Sequence, residues 1–394
     1  MADGNDPYTY PLLPLATARA RLRTLRVRPA RSVIVPVAEA VGRYAARSIE
    51  APANLPPRTT AAMDGYALAF RGRHAPTEFR LRLGSPPGRL SLNEAAVIAT
   101  GEPVPAGSRA VARLESTRRF GDRLRLVRSV TAGADLHAPG DSIRKGMRLV
   151  RRGERLDAYT IGSLVAANVR SVRVWDLRAA VIATGSEFED AAASRPGRVD
   201  SLGPMIRALL EPGVTVDRTD PVPDEPARLS AVVRSAARTH DLVITIGGSS
   251  VGPRDVTKRA IERVGRIIVP GARVNVLKRA GVGWVAGTPV LIVPGQVESA
   301  VVAIHEYGQR LLARLVGGPV GRTMTVPLGR AVDVRHRMDS TYFFRVEGGR
   351  AFPLPWGVAR YRPLQRADGF GYLARGRRHP EGEPVPLVLL RRPT

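Results

Sequence analysis

Residues 178–317 alternate short apolar runs with segments whose apolar residues recur at helical spacing. One of the runs, 242–246, is rich in β-branched residues and resembles a strand that is buried on both faces of a parallel sheet. A regular alternation of strands and helices is typical of a doubly wound α/β sheet. The sequence therefore predicts a parallel sheet covered by helices in this part of the chain.

Polar, glycine-rich stretches follow three of the predicted strands. Their sequences are TGSE (184–187), GGSSVG (247–252) and PGQVES (294–299). The carboxyl ends of parallel strands lie at one edge of a sheet, and ligands of such sheets bind at that edge. We therefore expect the three stretches to lie side by side.

The central stretch combines a tight Gly/Ser turn with a helical pattern that starts after Asp255. Such a turn presents backbone N–H groups and the positive end of a helix dipole, which suit an anion and most often a phosphate. The stretch is neither a Walker A loop nor a GxGxxG fingerprint. A plainer interpretation stays open, in which the glycines only turn the chain and Asp255 caps the helix.

The remaining segments predict three further regions. Apolar residues between 37 and 44 have the spacing of an amphipathic helix, whereas residues 67–130 resemble short strands and turns. A second helical pattern begins at Asp157, which suggests that the β-rich stretch is inserted into a discontinuous domain. The predicted domains are 8–50 with 138–176 (discontinuous, elongated), 51–137 (inserted, β-rich), 177–317 (α/β) and 318–394 (small, β-barrel-like).

The formal net charge of +26 raises the question of a nucleic-acid partner. Only three of the 61 lysine and arginine residues are lysine, and the arginines are scattered over every segment, which indicates a preference for arginine codons. Aromatic residues make up only 5%, so platforms for stacking single-stranded bases are lacking. Nucleic-acid binding stays a secondary hypothesis, and a basic surface favours anionic small molecules.

The absence of cysteine excludes disulfides, thiolate metal sites and cysteine nucleophiles. No secretory signal and no apolar stretch of about 18 residues is present, so no membrane span is expected. We therefore expect a cytoplasmic location.

Six motifs together resemble one known family. They are AAMDGYA (61–67), ATGEPVPAG (99–107), PGDSIRKG (139–146), TGSE (184–187), GGSSVGPRD (247–255) and VPGQVESA (293–300). Their order and approximate spacing are similar to those of the MoeA family, the molybdopterin molybdenumtransferases, to which the gephyrin E domain is related. The resemblance extends from about residue 10 to the end of the chain.

The resemblance implies a central MogA-like α/β domain and a homodimer whose cleft is shared between subunits. The α/β domain of one subunit would face the MDGYA and TGEP regions of the other. The family reaction inserts molybdate into adenylylated molybdopterin and releases AMP, assisted by Mg²⁺ or a similar divalent cation. A MogA-type adenylyltransferase would supply the substrate.

Residue types at the matching positions suggest roles in that chemistry. Backbone and hydroxyl donors would bind the phosphorylated pterin, and carboxylates would hold the cation. The expected catalytic residues are Asp64, Thr100, Glu187, Asp255 and Lys278; those binding molybdopterin are Thr184, Gly185, Gly247, Gly248, Ser249, Ser250, Gly252, Pro294 and Gly295; the metal ligands are Glu187, Asp224 and Asp255. Arg279 adds positive charge, and Thr100 would hydrogen-bond molybdate. Plainer interpretations make Asp64, Asp141 and Asp224 turn or capping residues.

The chain departs from the family pattern in its loops. Ser186 replaces the first carboxylate of TGDE, LKRAGVG replaces KPGKP, and Glu298 lies in the loop that normally reads LPGNPVS. The family's C-terminal Gly-Ser-Gly appears as GVARYRPL. Two hypotheses follow: an enzyme with a variant site, or a paralogue that binds molybdopterin without turnover as a carrier, scaffold or regulator.

Overall fold

The computed structural model describes residues 10–84, 88–185, 200–249, 255–319, 321–355 and 361–391. In these ranges no helix combines the length and the apolar character that crossing a bilayer requires. The strands form three large sheets and several two-stranded pairs, and apolar clusters pack against each large sheet. The predicted class, a multidomain α/β protein with β-rich regions, is confirmed.

The described part of the chain before residue 177 is mostly strand. Its elements are α1 (Leu15–Thr24), β1 (Arg31–Pro36), β2 (Ile49–Glu50), β3 (Thr60–Ala61), β4 (Gly65–Leu68), β5 (Glu78–Arg82), β6 (Glu94–Ile98), β7 (Ala110–Arg113), β8 (Thr117–Phe120), β9 (Arg123–Leu126), β10 (Leu136–His137), β11 (Arg148–Val150), α2 (Ala158–Ala166) and β12 (Ser171–Asp176), with 3₁₀ turns at Val37–Glu39 and Leu114–Ser116.

Two distant segments of this part pair with each other. Strand β1 runs antiparallel to β12, and β2 runs antiparallel to β11. Between them, β7, β4, β6, β5, β9 and β8 form a six-stranded sheet in that order, with its own core around Leu68, Phe79 and Leu124. The chain therefore leaves one folded unit, builds a second and returns. The residue boundaries of the domains stay a prediction.

The predicted helix between residues 37 and 44 is wrong. The apolar spacing there is real, but only one 3₁₀ turn forms, and the chain then turns at Gly42, whose φ is +78°. A Cβ at Gly42 would lie 2.5 Å from Pro212 Cγ, and Ala45 forms a bridge with Val174. Pairing with a distant strand outweighs the weak local preference for helix.

The central part forms a six-stranded sheet with helices around it. Its elements are β13 (Arg178–Ala183), α3 (Leu202–Leu210), β14 (Thr215–Arg218), α4 (Pro226–Thr239), β15 (Leu242–Ile246), α5 (Val256–Glu262), β16 (Arg266–Val269), β17 (Gly281–Val285), β18 (Thr288–Val293), α6 (Val297–Ala303), a π-helical segment (Ile304–Gly308) and α7 (Gln309–Val316). The strand order is β14-β13-β15-β18-β17-β16; the first four strands are parallel, and β17 and β16 are antiparallel to their neighbours.

The described C-terminal part is a small β-rich region. Its elements are β19 (Thr323–Pro327), β20 (Val332–Val334), β21 (Ser340–Glu347), β22 (Arg350–Pro353), α8 (Tyr361–Arg366), β23 (Gly369–Leu373), β24 (Arg377–His379) and β25 (Pro384–Leu389). An antiparallel sheet of order β19-β25-β23-β21-β22 encloses a core around Phe344, Leu373 and Leu387, and β20 pairs with β24. Helix α8 packs against α6 and β21, which joins this region to the central sheet.

Candidate functional site

The three glycine-rich loops leave the central sheet side by side. Strands β13, β15 and β18 are adjacent and parallel, so their carboxyl ends share one edge. The Thr184 N–H donates to the Ile246 carbonyl at 2.8 Å, and the Gly247 N–H donates to the Val293 carbonyl at 3.0 Å. The sheet ladder therefore continues into the loops and fixes where each one starts. We call this edge of the central sheet, at the carboxyl ends of β13, β15 and β18, the carboxyl edge.

The central loop requires both of its glycines. Gly247 has φ +86°, and a Cβ there would lie 2.4 Å from the Thr184 carbonyl oxygen. Gly248 has φ +58°, and its Cβ would lie 2.7 Å from Thr257 Oγ1. Only glycine combines this backbone conformation with such a close approach. The sequence prediction of a tight turn at this position is confirmed.

Some hydrogen-bond donors of the same loop have no acceptor among the described residues. Thr257 Oγ1 donates to the Gly247 carbonyl at 3.1 Å, which secures the loop to α5. In the described ranges, the backbone N–H groups of Gly248 and Ser249 have no acceptor, and the buried Ser249 Oγ has no partner. A buried hydroxyl is almost always paired with protein or water, so Ser249 Oγ and the two neighbouring N–H groups are together suited to bind an anion.

Two further buried atoms without a partner in the described ranges lie at the carboxyl edge. One is Oγ1 of Thr219, the residue directly after β14. The other is Nε of Arg279, which precedes β17; Gly281 of β17 pairs with Ile292 near the end of β18. Arg279 was expected from the sequence as a source of positive charge, whereas Thr219 was not. The signal in the sequence was its place in the polar run 217–220, which follows the apolar Val216.

Asp224 lies beside the central loop. Its Oδ1 accepts a hydrogen bond from Thr184 Oγ1 at 3.1 Å and would be 3.5 Å from a Cβ at Gly248. Thr184 is 1% exposed, whereas Asp224 is exposed to solvent. The structure thus brings together three residues that the sequence analysis placed in one site, with a carboxylate that solvent and ligands can reach.

Asp255 contacts Lys258 through both of its carboxylate oxygens. Its Oδ1 accepts from the Lys258 backbone N–H at 3.0 Å, which caps α5, and its Oδ2 lies 2.9 Å from Lys258 Nζ. Both side chains are buried, and burial raises the pKa of Asp255 while Lys258 opposes that rise. The capping interpretation is confirmed. The role of Asp255 as a metal ligand stays a prediction, because it would compete with the ion pair.

Asp64 and Thr100 form a second, separate pair of candidate residues. Asp64 Oδ1 accepts from the Thr100 N–H at 2.7 Å and from Thr100 Oγ1 at 2.9 Å, and these bonds lower the pKa of Asp64. The proton of the Thr100 hydroxyl is therefore committed to Asp64. The pair presents oxygen lone pairs, which suit a cation or an N–H donor better than the molybdate oxygens first expected for Thr100.

The other candidates occupy varied positions. Lys278 is half-buried next to Arg279, Pro294 is buried, Gly295 is exposed, and Gly185 is buried at the end of β13. Glu298 is 8% exposed in the first turn of α6, and Asp141 Oδ2 accepts from the Ala138 N–H at 2.6 Å within its turn.

Four of the candidate positions, Ser186, Glu187, Ser250 and Gly252, lie outside the described residues. Among the described residues, no three carboxylate or histidine side chains cluster as a preformed metal site.

Comparison with known proteins places these features in context. Residues 13–168 match the profile of the MoeA N-terminal region (domains I and II), and residues 180–314 match a profile described as a probable molybdopterin binding domain. The second match contains all three loops of the carboxyl edge, and the first contains Asp64 and Thr100.

Individual relatives match most of the chain. Molybdopterin molybdenumtransferase 2 of Mycobacterium tuberculosis is 28% identical over 319 residues, 74% of this chain and 77% of that protein. The molybdopterin molybdenumtransferase of Haemophilus influenzae is 27% identical over 322 residues, 78% of each. The crystal structure of a molybdopterin biosynthesis MoeA protein from Pyrococcus horikoshii is 26% identical, covers 96% of this chain and 99% of its own, and has a TM-score of 0.73. The two matched regions and this likeness over nearly the whole fold show that the chain belongs to the MoeA family.

Proposed function

We propose that this protein is a molybdopterin molybdenumtransferase, which inserts molybdate into adenylylated molybdopterin and releases AMP. The observation that carries the proposal is a set of donors at the carboxyl edge that have no partner in the described ranges. They are the buried Ser249 Oγ and Arg279 Nε, together with the N–H groups of Gly248 and Ser249. A buried donor without an acceptor costs about 1–3 kcal/mol. A phosphorylated ligand would supply the acceptors and recover that energy.

The neighbouring residues support cleavage of a pyrophosphate. Mg²⁺ in such sites usually takes one or two carboxylates together with substrate phosphates, so the exposed Asp224 beside Gly248 is suited to hold it. When bound, the cation would neutralise charge on the phosphates. The loop orients the phosphate through its N–H groups, while Arg279 and Lys278 add positive charge from the segment before β17. The identity of the cation is part of the proposal.

The Asp64–Thr100 pair belongs to a different sheet from the loops. We infer that a homodimer completes the site, with this pair supplied by the second subunit. Such an association could also cover apolar side chains that α2 leaves at the surface, where Tyr159 and Val165 are 77% and 58% exposed. The MogA-type donor of the substrate and the cytoplasmic location stay predictions.

The direct test is AMP release from adenylylated molybdopterin in the presence of molybdate and Mg²⁺. We expect the wild-type protein to release AMP, and we expect Asp255→Asn to abolish release if Asp255 holds the cation. Asparagine can still cap α5, but it leaves Lys258 buried without its counter-charge, so the variant is also expected to unfold more easily.

The double variant Asp255→Asn/Lys258→Met separates these two effects. It removes both buried charges, so the fold should recover. If AMP release remains lost while the fold is restored, Asp255 acts in the site; if release returns, its role is structural. Binding of the substrate by the wild-type protein without AMP release would favour the carrier or regulator over the enzyme.

Mixing two inactive variants tests the shared cleft. Asp64→Asn disables one region and Gly247→Ala disables the other, so each homodimer is expected to be inactive. Random pairing in a two-fold dimer gives mixed dimers with one intact site, and about one quarter of wild-type activity should return. If Asp64 and Gly247 of the same subunit formed the site, mixing would restore nothing. Co-purification through two different affinity tags verifies that mixed dimers form.

A further inference from the structure

Asp64 and Thr100 are both exposed to solvent, so side-chain packing contributes little to their position. The turn 62–64, which carries Asp64, links β3 to β4, and its middle residue Met63 is 39% exposed. Accurate placement matters at a site, because a misplacement of about 1 Å can cost roughly a hundredfold in activity. The position of Asp64 must therefore come from the backbone contacts of its turn.

Backbone hydrogen bonds hold this turn at both of its ends. The Ala62 N–H donates to the Asp135 carbonyl at 2.9 Å, and the Leu114 N–H donates to the Asp64 carbonyl at 3.3 Å. Leu114 directly follows β7, whereas Asp135 directly precedes β10. The turn is thus held between two segments that are distant from it and from each other in the sequence.

The side chain of Arg113 joins these two segments. Arg113 is the last residue of β7 and lies opposite Gly65 in the register of β4 and β7. Its Nε donates to Asp135 Oδ2 at 2.9 Å, and its Nη2 donates to Asp135 Oδ1 at 2.9 Å. Such a two-pronged contact fixes both the distance and the relative orientation of the two side chains. The ion pair therefore links the anchor of the Asp64 carbonyl to the anchor of the Ala62 N–H.

The backbone of Asp135 supports a specific role for this contact. Its φ is +48°, in the left-handed region that residues with a Cβ seldom adopt, although aspartate tolerates it better than most. Such conformations are kept where the surrounding structure imposes them, and they cluster at functional sites. The side chains of Arg113 and Asp135 are 46% and 20% exposed, and ion pairs near the surface contribute little to stability. Positioning of the turn therefore explains the pair better than stability does.

We propose that Arg113 and Asp135 are positioning residues for the Asp64–Thr100 pair. They hold the turn 62–64 from both ends and so keep the Asp64 carboxylate within reach of the Thr100 N–H and hydroxyl. A ligand then meets a pair that is already ordered, and the cost of ordering it does not slow the reaction. The inference rests on the proposed function, in which this pair completes the cleft of the second subunit.

Hydrogen exchange of the full-length protein tests the positioning without requiring turnover. The Thr100 N–H donates to Asp64 Oδ1 at 2.7 Å, so its exchange rate, followed by NMR on protein with nitrogen-labelled threonine, reports whether the pair stays assembled. In Arg113→Gln we expect this amide to exchange roughly tenfold faster than in the wild type. The matched control is Arg350→Gln, because Arg350 pairs with Glu381 and its side chain is 47% exposed, nearly as much as that of Arg113. In the control, the Thr100 amide should exchange at the wild-type rate.

Steady-state kinetics of AMP release separate positioning from folding. We expect kcat of Arg113→Gln to fall by roughly ten- to a hundredfold, while KM and the midpoint of thermal unfolding stay near the wild-type values. Arg113→Lys keeps the charge but not the two-pronged contact, so it should recover only part of kcat. The double variant Arg113→Gln/Asp135→Asn should lose no more than Arg113→Gln alone, because the two residues act as a unit.

Exchange and kinetics together decide whether Arg113 and Asp135 position the pair. Faster exchange at Thr100 with a lower kcat, in a variant as stable as the control, supports the proposal. An exchange rate or a kcat equal to that of the control variant overturns it, and so does a loss of activity that only follows earlier thermal unfolding. If the wild type releases no AMP while Arg113→Gln still exchanges faster at Thr100, the positioning stands and the enzyme assignment fails.

Discussion

Replacing Glu306 with alanine is expected to lower the free energy of unfolding by about 3–5 kcal/mol. This carboxylate lies in the π-helical segment, and its side chain is fully buried. Arg19 donates to both oxygens at 2.7 and 2.8 Å, Arg310 Nε donates to Oε1 at 3.0 Å, and the Tyr372 hydroxyl donates to Oε2 at 2.9 Å. Removing the carboxylate leaves two guanidinium groups near one another without their shared counter-charge.

The Glu306 network connects three regions of the chain. Arg19 lies on α1, Glu306 on the helix after β18, and Tyr372 on β23 of the C-terminal sheet. Burial and the nearby Glu306 raise the pKa of Tyr372, so its hydroxyl remains a donor at neutral pH. Losing the network should therefore loosen the contacts of α1 and of the C-terminal sheet with the helix, as well as the helix itself.

Urea unfolding provides the measurement, with Glu347→Ala as the matched control. Glu347 pairs with Arg345, but both side chains are 52% exposed. Exposed ion pairs contribute about 0–1 kcal/mol, so the control should unfold almost like the wild type. A loss below about 1 kcal/mol in Glu306→Ala would contradict the view that this buried network stabilises the fold.

Replacing Gly247 with alanine is expected to abolish binding of the phosphorylated pterin. The added Cβ would lie 2.4 Å from the Thr184 carbonyl oxygen, so the turn between β15 and α5 must move. That movement displaces the N–H groups of Gly248 and Ser249, and a misplacement of about 1 Å can cost roughly a hundredfold in activity. The measurements are binding of molybdopterin and AMP release.

The control variant Gly287→Ala separates the steric clash of the new Cβ at Gly247 from the cost of placing alanine at a positive φ. Gly287 has φ +88°, almost the same as Gly247, but a Cβ there meets no atom within 4 Å. It lies in the turn between β17 and β18, at the opposite end of β18 from the loops. Both variants lose the conformational freedom of glycine, yet only Gly247→Ala should lose binding. Equal activity in the two variants would show that the close approach at Gly247 is unimportant.

Much of the candidate site could be predicted because its features are local. Glycines after a buried β-branched run favour a tight turn, and Asp157 and Asp255 each cap the helix that follows them. These features depend on neighbours within a few residues. The same local logic was wrong between residues 37 and 44, where pairing with distant segments prevented the helix that the apolar spacing favours.

Other features depend on which distant segments meet. Thr219 and Arg279 reach the same edge only because their strands join one sheet, and Thr100 is committed to Asp64 across 36 residues of sequence. Burial likewise gives Asp255 the ion pair with Lys258 that competes with its predicted metal role.

By itself, the sequence determined the alternation of strands and helices, the glycine turn after β15 and the family to which the chain belongs. Only the tertiary structure decided which donors lack a partner among the described residues and which carboxylates are already paired. The physical reason is the distance along the chain over which each kind of interaction acts. Backbone preference and capping act between near neighbours, whereas burial and charge pairing depend on segments that come together only in the folded chain.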